Sequence, residues 1–320
     1  MTKYLMKRLW QTIVVILLVA VATFFMVNLI PGDLVYIVAA TDQVDQELYD
    51  YIYQSLNLDK GVVERFFLWA WDALHLDFGK SYVYNMPVWD LISSRLPTTI
   101  YLSVLTMIVS VPLGVVFGMI SGVNRKKKID TVITLSANTI NSLPQFWIGI
   151  ILMYVLSLKL RLLPTRGFDW PWNIGFGEHI KNLIMPAICL SLGGIAGFTR
   201  QTRSSMLEVI RQDFIRTARS KGLPEKKVLF KHMLRNGLIP IVTILGNRLA
   251  FIIGGSMFVE NIFSIPGMGS LAVRCIQGKD IPTIQAVVLL TTLVLCVAYI
   301  ITDILYVVVD PRISLTASAD

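Results

Sequence analysis

Charge is what this chain has least of. Only 16% of its 320 residues are Asp, Glu, Lys or Arg, while 54% are hydrophobic and the mean hydropathy is +0.63. Soluble domains carry about 25% charged residues, so this composition excludes an ordinary water-soluble globule and favours a bilayer as solvent. Cysteine and histidine are equally scarce, three of each. Cys189, Cys275 and Cys296 show no C-x-x-C or Cys/His spacing, so neither a disulfide framework nor a metal site is legible. Cys189 and Cys296 fall in apolar runs and read as small fillers. His75, His179 and His232 are scattered. A G-x-x-x-x-G-K-[ST] phosphate loop, a G-x-S-x-G elbow and an H-E-x-x-H pair are all missing. The chain is therefore expected to carry no catalytic residues, bind no metal and bind no nucleotide of its own.

What it has in abundance is long uncharged runs. Residues 9–30, 99–123, 131–158, 182–199 and 281–302 each lack charge, and 237–259 is broken only by Arg248. A spanning helix needs about 20 mostly apolar residues. Lipid offers unpaired backbone groups no partner, so helices are the expected solution. The fold expected is all-α and polytopic with six transmembrane helices. The first run exceeds a signal-peptide core and ends without a small-x-small cleavage pattern, which favours a retained anchor.

Basic residues orient the bundle. With the N-terminus inside, 18 of the 29 Lys and Arg fall in cytoplasmic segments, ten of them between Arg200 and Arg235. The positive-inside rule then places both termini in the cytoplasm. The organisation expected is a cytoplasmic start and first helix over 1–30, an extracytoplasmic cap over 31–98, a five-helix core over 99–309, and a cytoplasmic tail over 310–320. The cap holds ten acidic against four basic residues. The net charge of +8 faces anionic lipid or a protein; no basic stretch is interleaved with aromatics as in a nucleic-acid module. Lys126, Lys127 and Lys128 read as a topology signal touching lipid.

The informative loop is 200–236. Leu207, Ile210, Phe214 and Ala218 follow at helical spacing and form one apolar face. Gly222 supplies a left-handed stop and Pro224 a first-turn proline, so the expected product is a helix–elbow–helix. It reads either as a plug for a groove on another protein or as a solvated basic loop.

The stretch Arg216-Thr217-Ala218-Arg219-Ser220-Lys221-Gly222, followed by His232-Met233-Leu234-Arg235-Asn236 and Pro240, resembles the EAA loop of ABC importer permeases. It is most similar to the first (B-type) permease of the dipeptide, oligopeptide and nickel branch. Arg216 and Thr217 depart from the general Glu-Ala and match that branch. Other tags occur in the same order: Pro31-Gly32-Asp33, Leu56-Asn57-Leu58-Asp59, Asp77-Phe78-Gly79-Lys80-Ser81, Pro87-Val88, Arg95-Leu96-Pro97-Thr98-Thr99, Pro144-Gln145-Phe146-Trp147, Glu260-Asn261-Ile262-Phe263, Pro266-Gly267-Met268-Gly269, Asp280-Ile281-Pro282 and Asp310-Pro311-Arg312-Ile313.

The resemblance implies a MetI-like permease core in a bacterial or archaeal cytoplasmic membrane. It implies a second homologous permease as heterodimer partner, two ATPase subunits and an extracytoplasmic solute-binding protein. ATP and magnesium would belong to the ATPases. Asp213, Arg216, Thr217, Ala218, Lys221, Gly222, His232, Arg235 and Asn236 would form the ATPase-coupling loop. The solute would be a peptide or a related small molecule, nickel and metallophore complexes included. Two other classes stay open at this point: a transporter driven by an ion gradient, and a non-transporting assembly protein.

Five residues are candidates for the translocation path or outer gate: Arg248, Glu260, Pro266, Gly267 and Gly269. A charge at mid-span costs roughly 2.5–3.5 kcal/mol on insertion scales, so Arg248 either meets an anionic solute group or pairs with a carboxylate on a neighbouring helix. Glu260 either lines the outer mouth or braces its loop. Pro266-Gly267-Met268-Gly269 has turn composition. Asp303 reads as a structural hydrogen-bonding group, Gly254-Gly255 as a close helix contact, and Pro112 and Pro144 as span breakers.

Overall fold

The computed structural model describes residues 2–29, 33–39, 45–238, 241, 244–245, 248 and 256–309. Its regular elements are helical. They are α1 (Thr2–Asn28), α2 (Leu34–Ala39), α3 (Gln46–Ser55), α4 (Val62–Leu74), α5 (Val88–Val123), α6 (Lys128–Ser142), α7 (Gln145–Leu152), α8 (Pro171–Ile174), α9 (Phe176–Val209), α10 (Asp213–Ser220), α11 (Glu225–Lys227), α12 (Arg235–Gly237), α13 (Met268–Gln277) and α14 (Ile281–Val309). Two seven-residue π-helical segments, Met153–Lys159 and Val228–Leu234, continue α7 and α11. Among the described residues, strand pairing is limited to one isolated bridge, Lys80 with Pro87.

Among the described residues, four helices are long and apolar enough to cross a membrane, Met6–Asn28, Val88–Val123, Phe176–Val209 and Ile281–Ile304, and a fifth if the bent pair described next counts as one span. The run over 131–158 is not one straight helix. α6 ends at Ser142, Pro144 caps α7, and the two segments meet at 101°. Proline has no N–H and clashes with the preceding turn, so it starts α7 rather than continuing α6. Pro112 behaves differently and sits inside α5 without ending it. The run over 237–259 falls mostly outside the described residues, as do Gly254-Gly255, Pro240, Pro31-Gly32 and the 310–313 tag.

The chain forms two compact units, Met1–Thr99 with Pro266–Val297, and Ile100–Ile265 with Ala298–Asp320. In the first, α4 packs on the last turns of α1 through Phe24, Phe66 and Trp69, with ring centroids 5.5 Å apart from Phe24 to each partner. Val88, Leu91, Ile92, Met268, Leu271 and Cys275 are buried together with Ala286 and Leu290. Sequence tags far apart in the chain meet here. Ser81 Oγ donates to Asp280 Oδ2 at 2.5 Å, and Thr283 Oγ1 donates to the same oxygen at 2.8 Å. The Met268 N–H donates to Thr99 Oγ1 at 2.8 Å.

In the second unit α5 and α9 lie side by side. Gly114 faces Phe198, Gly118 faces Thr202 and Gly122 faces Met206, while Gly194 of α9 faces Ser110. Contacts advance by four in both helices, so the two run parallel. A Cβ at Gly114, Gly118 or Gly122 would overlap the facing side chain. Small residues at four-residue spacing let helix backbones approach within a bilayer, where dispersion contacts and not water release drive packing. His179 is buried in this unit, its Nδ1 2.6 Å from the Asp169 carbonyl and its Nε2 3.0 Å from the Tyr101 hydroxyl.

Candidate functional site

The loop after α9 begins with a break that the apolar periodicity did not reveal. α9 stops at Val209, and Gln212, in an extended conformation, caps α10. The face expected from Leu207, Ile210, Phe214 and Ala218 is corrected accordingly. Ile215 and Ala218 are buried, whereas Phe214 is exposed and Leu207 only half-buried. The reset of helical phase at residues 210–212 moves Ile215 into the position that Phe214 would have held. Ile215 and Ala218 pack with Met119, Met206, Val228 and Met233.

α10 ends in a Schellman motif. Gly222, at φ +71°, donates its N–H to the Arg219 carbonyl at 2.9 Å, and Leu223 donates to the Ala218 carbonyl at 3.4 Å. Only glycine adopts that conformation without a Cβ penalty. Pro224 caps α11 in an extended conformation, one position before the first helical residue. Arg219 ties the arms together, donating Nη2 to Glu225 Oε1 at 2.5 Å and Nε to Oε2 at 3.3 Å. Asn236 Nδ2 donates back to the His232 carbonyl at 2.7 Å. Asp213 and Arg216 form an exposed pair at 3.7 Å.

The residues expected to couple to an ATPase separate by environment. Ala218 is buried, His232 half-buried, and Asp213, Arg216, Thr217, Lys221, Gly222 and Asn236 are exposed. The Arg235 side chain lies outside what is described. Sequence reasoning put Phe214 on an apolar face and missed Phe230; both large rings are left exposed, in a segment that also carries the exposed Arg216, Lys221, Lys226, Lys227 and Lys231. Two phenylalanines inside a basic helical loop were the available signal, and the sequence did not say that they are exposed.

The elbow is carried on a polar bracket that sequence reasoning also missed. Arg203 of α9 donates Nε to Asp130 Oδ1 at 2.7 Å and Nη2 to Oδ2 at 3.0 Å. The same carboxylate accepts from Ser121 Oγ at 2.5 Å, the Lys126 N–H at 3.0 Å and Thr134 Oγ1 at 3.3 Å. One carboxylate thus joins α5, the Lys126 turn, α6 and α9. A fork of two parallel charge-assisted bonds fixes orientation as well as distance.

The path candidates are placed as follows. The Arg248 guanidinium lies against Gly197, where any Cβ would collide with it, and among the described residues it pairs with no carboxylate. Glu260 is fully buried and accepts from Ser256 Oγ at 3.0 Å, so its side chain does not open to solvent within this chain. Gly267 caps α13, its N–H donating to Ser270 Oγ at 3.1 Å, with Pro266 and Gly269 on either side of that cap. Asp303 is half-buried in α14.

Residues 114–315 match the family of binding-protein-dependent transport system inner membrane components, and residues 1–103 match its membrane-component N-terminal family. The chain belongs to this permease family. The oligopeptide transport system permease protein AppB of Bacillus subtilis (strain 168) is 37% identical, with 98% of this chain and 99% of AppB covered. The glutathione transport system permease protein GsiC of Escherichia coli (strain K12) is 35% identical over the same shares. Among solved structures, the inward-facing MetNI methionine ABC transporter matches with a TM-score of 0.53, 16% identity, 69% of this chain and 94% of that chain. That likeness carries the MetI-like fold. This permease is the membrane-spanning, multi-pass subunit of an ABC importer, a pore component and not an enzyme. The ion-gradient transporter and the assembly protein are set aside by the family match.

Proposed function

We propose that this permease forms half of the translocation pore of an ATP-driven peptide importer, paired with a second homologous permease and served by an extracytoplasmic binding protein. The observation carrying the solute class is near-full-length similarity to an oligopeptide permease and a glutathione permease. Glutathione is itself a tripeptide, so both named solutes share one chemistry. In this reading both termini are cytoplasmic, six helices span the bilayer, and the chain binds no nucleotide.

The elbow from Asp213 to Asn236 is the ATPase dock. Its support is the Gly222 cap and the two exposed rings, Phe214 and Phe230, set among cations. Aromatic anchors ringed by polar groups carry most of the energy in protein interfaces. ATP and magnesium act in the partner subunits, and changes in their spacing reach the spans through α9 and the Asp130–Arg203 bracket. Arg248, unpaired within the described residues, serves the path by meeting a solute carboxylate.

The test is co-purification of the candidate ATPase with the permease in detergent, comparing the natural chain with Gly222→Asp. Retention by the first and loss by the second, at equal membrane insertion, supports the dock. No retention by the natural chain, or unchanged ATPase stimulation and uptake in the variant, overturns it.

A further inference from the structure

The first unit holds a cavity of about 260 Å³ that the importer reading does not use. Its charged lining is Arg65 and Lys80 against Asp72 and Asp77, and its apolar walls include Phe24 and Trp69. Arg65 is the unusual member. Its guanidinium carbon stands 5.9 Å from the centroid of the Phe24 ring, and its Nε is buried with no hydrogen-bond partner among the described residues. No carboxylate there lies within ion-pairing distance of it. Burial lowers its pKa from the ordinary arginine value, uncompensated by any acid. A half-buried guanidinium is costly unless an anion completes it.

Resting on the importer reading above, we propose that this cavity is a solute-docking site on the outer cap that takes the charged ends of a short peptide zwitterion. The carboxylate sits on Arg65, with Lys80 beside it, and the ammonium faces Asp72 and Asp77. The lining carries equal numbers of each sign, which suits a ligand that is neutral overall but charged at both ends.

The helix period distinguishes a peptide from a lipid headgroup. Arg65 and Asp72 are seven residues apart and share one face of α4. Val63, Phe67, Trp71 and Leu74, all exposed, fall on the opposite face. That apolar stripe is continuous with the outer end of α1 through the Phe25, Phe66 and Phe67 rings. An interfacial helix turns such a stripe toward acyl chains and its polar face toward water. The cavity lies on the watery side, where a lipid with its tails in the bilayer would not place its headgroup.

The assembled transporter in proteoliposomes supplies the test, with Gly-Gly-Phe as probe and its C-terminal amide and N-acetyl forms as controls. Binding is read from the fluorescence of the permease, in which Trp69 lines the site, and uptake is followed in parallel. Arg65→Gln should weaken Gly-Gly-Phe binding about tenfold, the scale of one charge-assisted contact. Arg65→Lys should recover part of that loss, and the amide should bind the natural chain as poorly as Gly-Gly-Phe binds Arg65→Gln. Asp72→Asn, at an exposed position that folding tolerates, should erase the preference over the N-acetyl peptide. If the natural chain imports Gly-Gly-Phe yet Arg65→Gln binds it equally well, the docking site is wrong and the importer reading survives. If the natural chain imports no peptide, the importer reading fails first. Displacement of bound probe by phosphatidylethanolamine, but not by peptide, would overturn the assignment in favour of lipid.

Discussion

Asp130 and Arg203, 73 positions apart, meet through two nitrogen–oxygen contacts of 2.7 and 3.0 Å, Arg203 lying near the end of α9 that leads into the elbow. The carboxylate is nearly buried and the guanidinium about a quarter exposed, with side-chain accessibilities of 7% and 28%. Removing one partner leaves the other charge desolvated without compensation. Arg203→Gln is therefore expected to destabilise the permease by ~3 kcal/mol and to lower its thermal midpoint in detergent. Asp130→Asn should do the same, and the double variant should cost less than the two single losses added together. Additive losses would mean that the pair does not act as a unit.

The α5–α9 seam makes a contrast between two glycines. Gly118 has no room for a Cβ against Thr202, whereas Gly193 has nothing within 4 Å of one. Gly118→Leu should cost ~1–3 kcal/mol by overpacking and reduce the folded yield from membranes. Gly193→Ala should not lower yield or thermal midpoint and, at a helix-interior position with open space, should raise stability by up to ~1 kcal/mol.

Gly222 separates backbone strain from surface chemistry. A Cβ there meets no atom within 4 Å, but φ is +71°. Gly222→Ala should therefore destabilise the elbow by only ~1 kcal/mol, the cost of a left-handed residue, while retaining the ATPase on a detergent column. Gly222→Asp adds a charge to the same open surface and should lose it. Phe230→Ala should weaken ATPase retention with no change in thermal midpoint, because that ring is exposed.

Ser81 and Asp280 join two segments of the first unit 199 positions apart. Asp280→Ala removes a buried acceptor of two hydroxyls and should cost ~2 kcal/mol or more. Ser81→Ala should cost less in the natural background and less still in Asp280→Ala, where only the bond from the Tyr84 N–H to its hydroxyl, 3.0 Å long, is left to lose. Urea unfolding of the four proteins checks this.

Cys275 is fully buried, and its thiol is pushed up to about 12, first by desolvation and then by the nearby Asp280 charge. The thiolate is the reactive form, and a raised pKa keeps it scarce below that pH. With Cys189 and Cys296 replaced by Ser, maleimide should fail to label the folded permease at pH 7 and label it fully once unfolded. Rapid labelling of the folded form would show that α13 opens.

The uncharged runs disclosed a helical membrane protein because lipid forces backbone groups to pair locally, so the signal is written along the chain itself. Gly222 and Pro224 announced an elbow for the same reason: backbone conformation is a property of one or two residues. The spacing of Gly114, Gly118 and Gly122 was visible in the sequence, but its meaning required Phe198, Thr202 and Met206 to be set opposite. Phe214 looked like a core residue until the break at residues 210–212 shifted the helical phase. Arg203 was one of ten basic residues in a loop, and only its approach to Asp130 made it a bracket. Ser81 and Asp280 were separate tags until folding placed them 2.5 Å apart. Sequence alone determined which solvent this chain lives in and where its backbone turns, since both follow from local chemistry. Which charges are paired, which ring is left bare and where a cavity keeps an uncompensated arginine depended on contacts between distant segments, and the tertiary structure decided them.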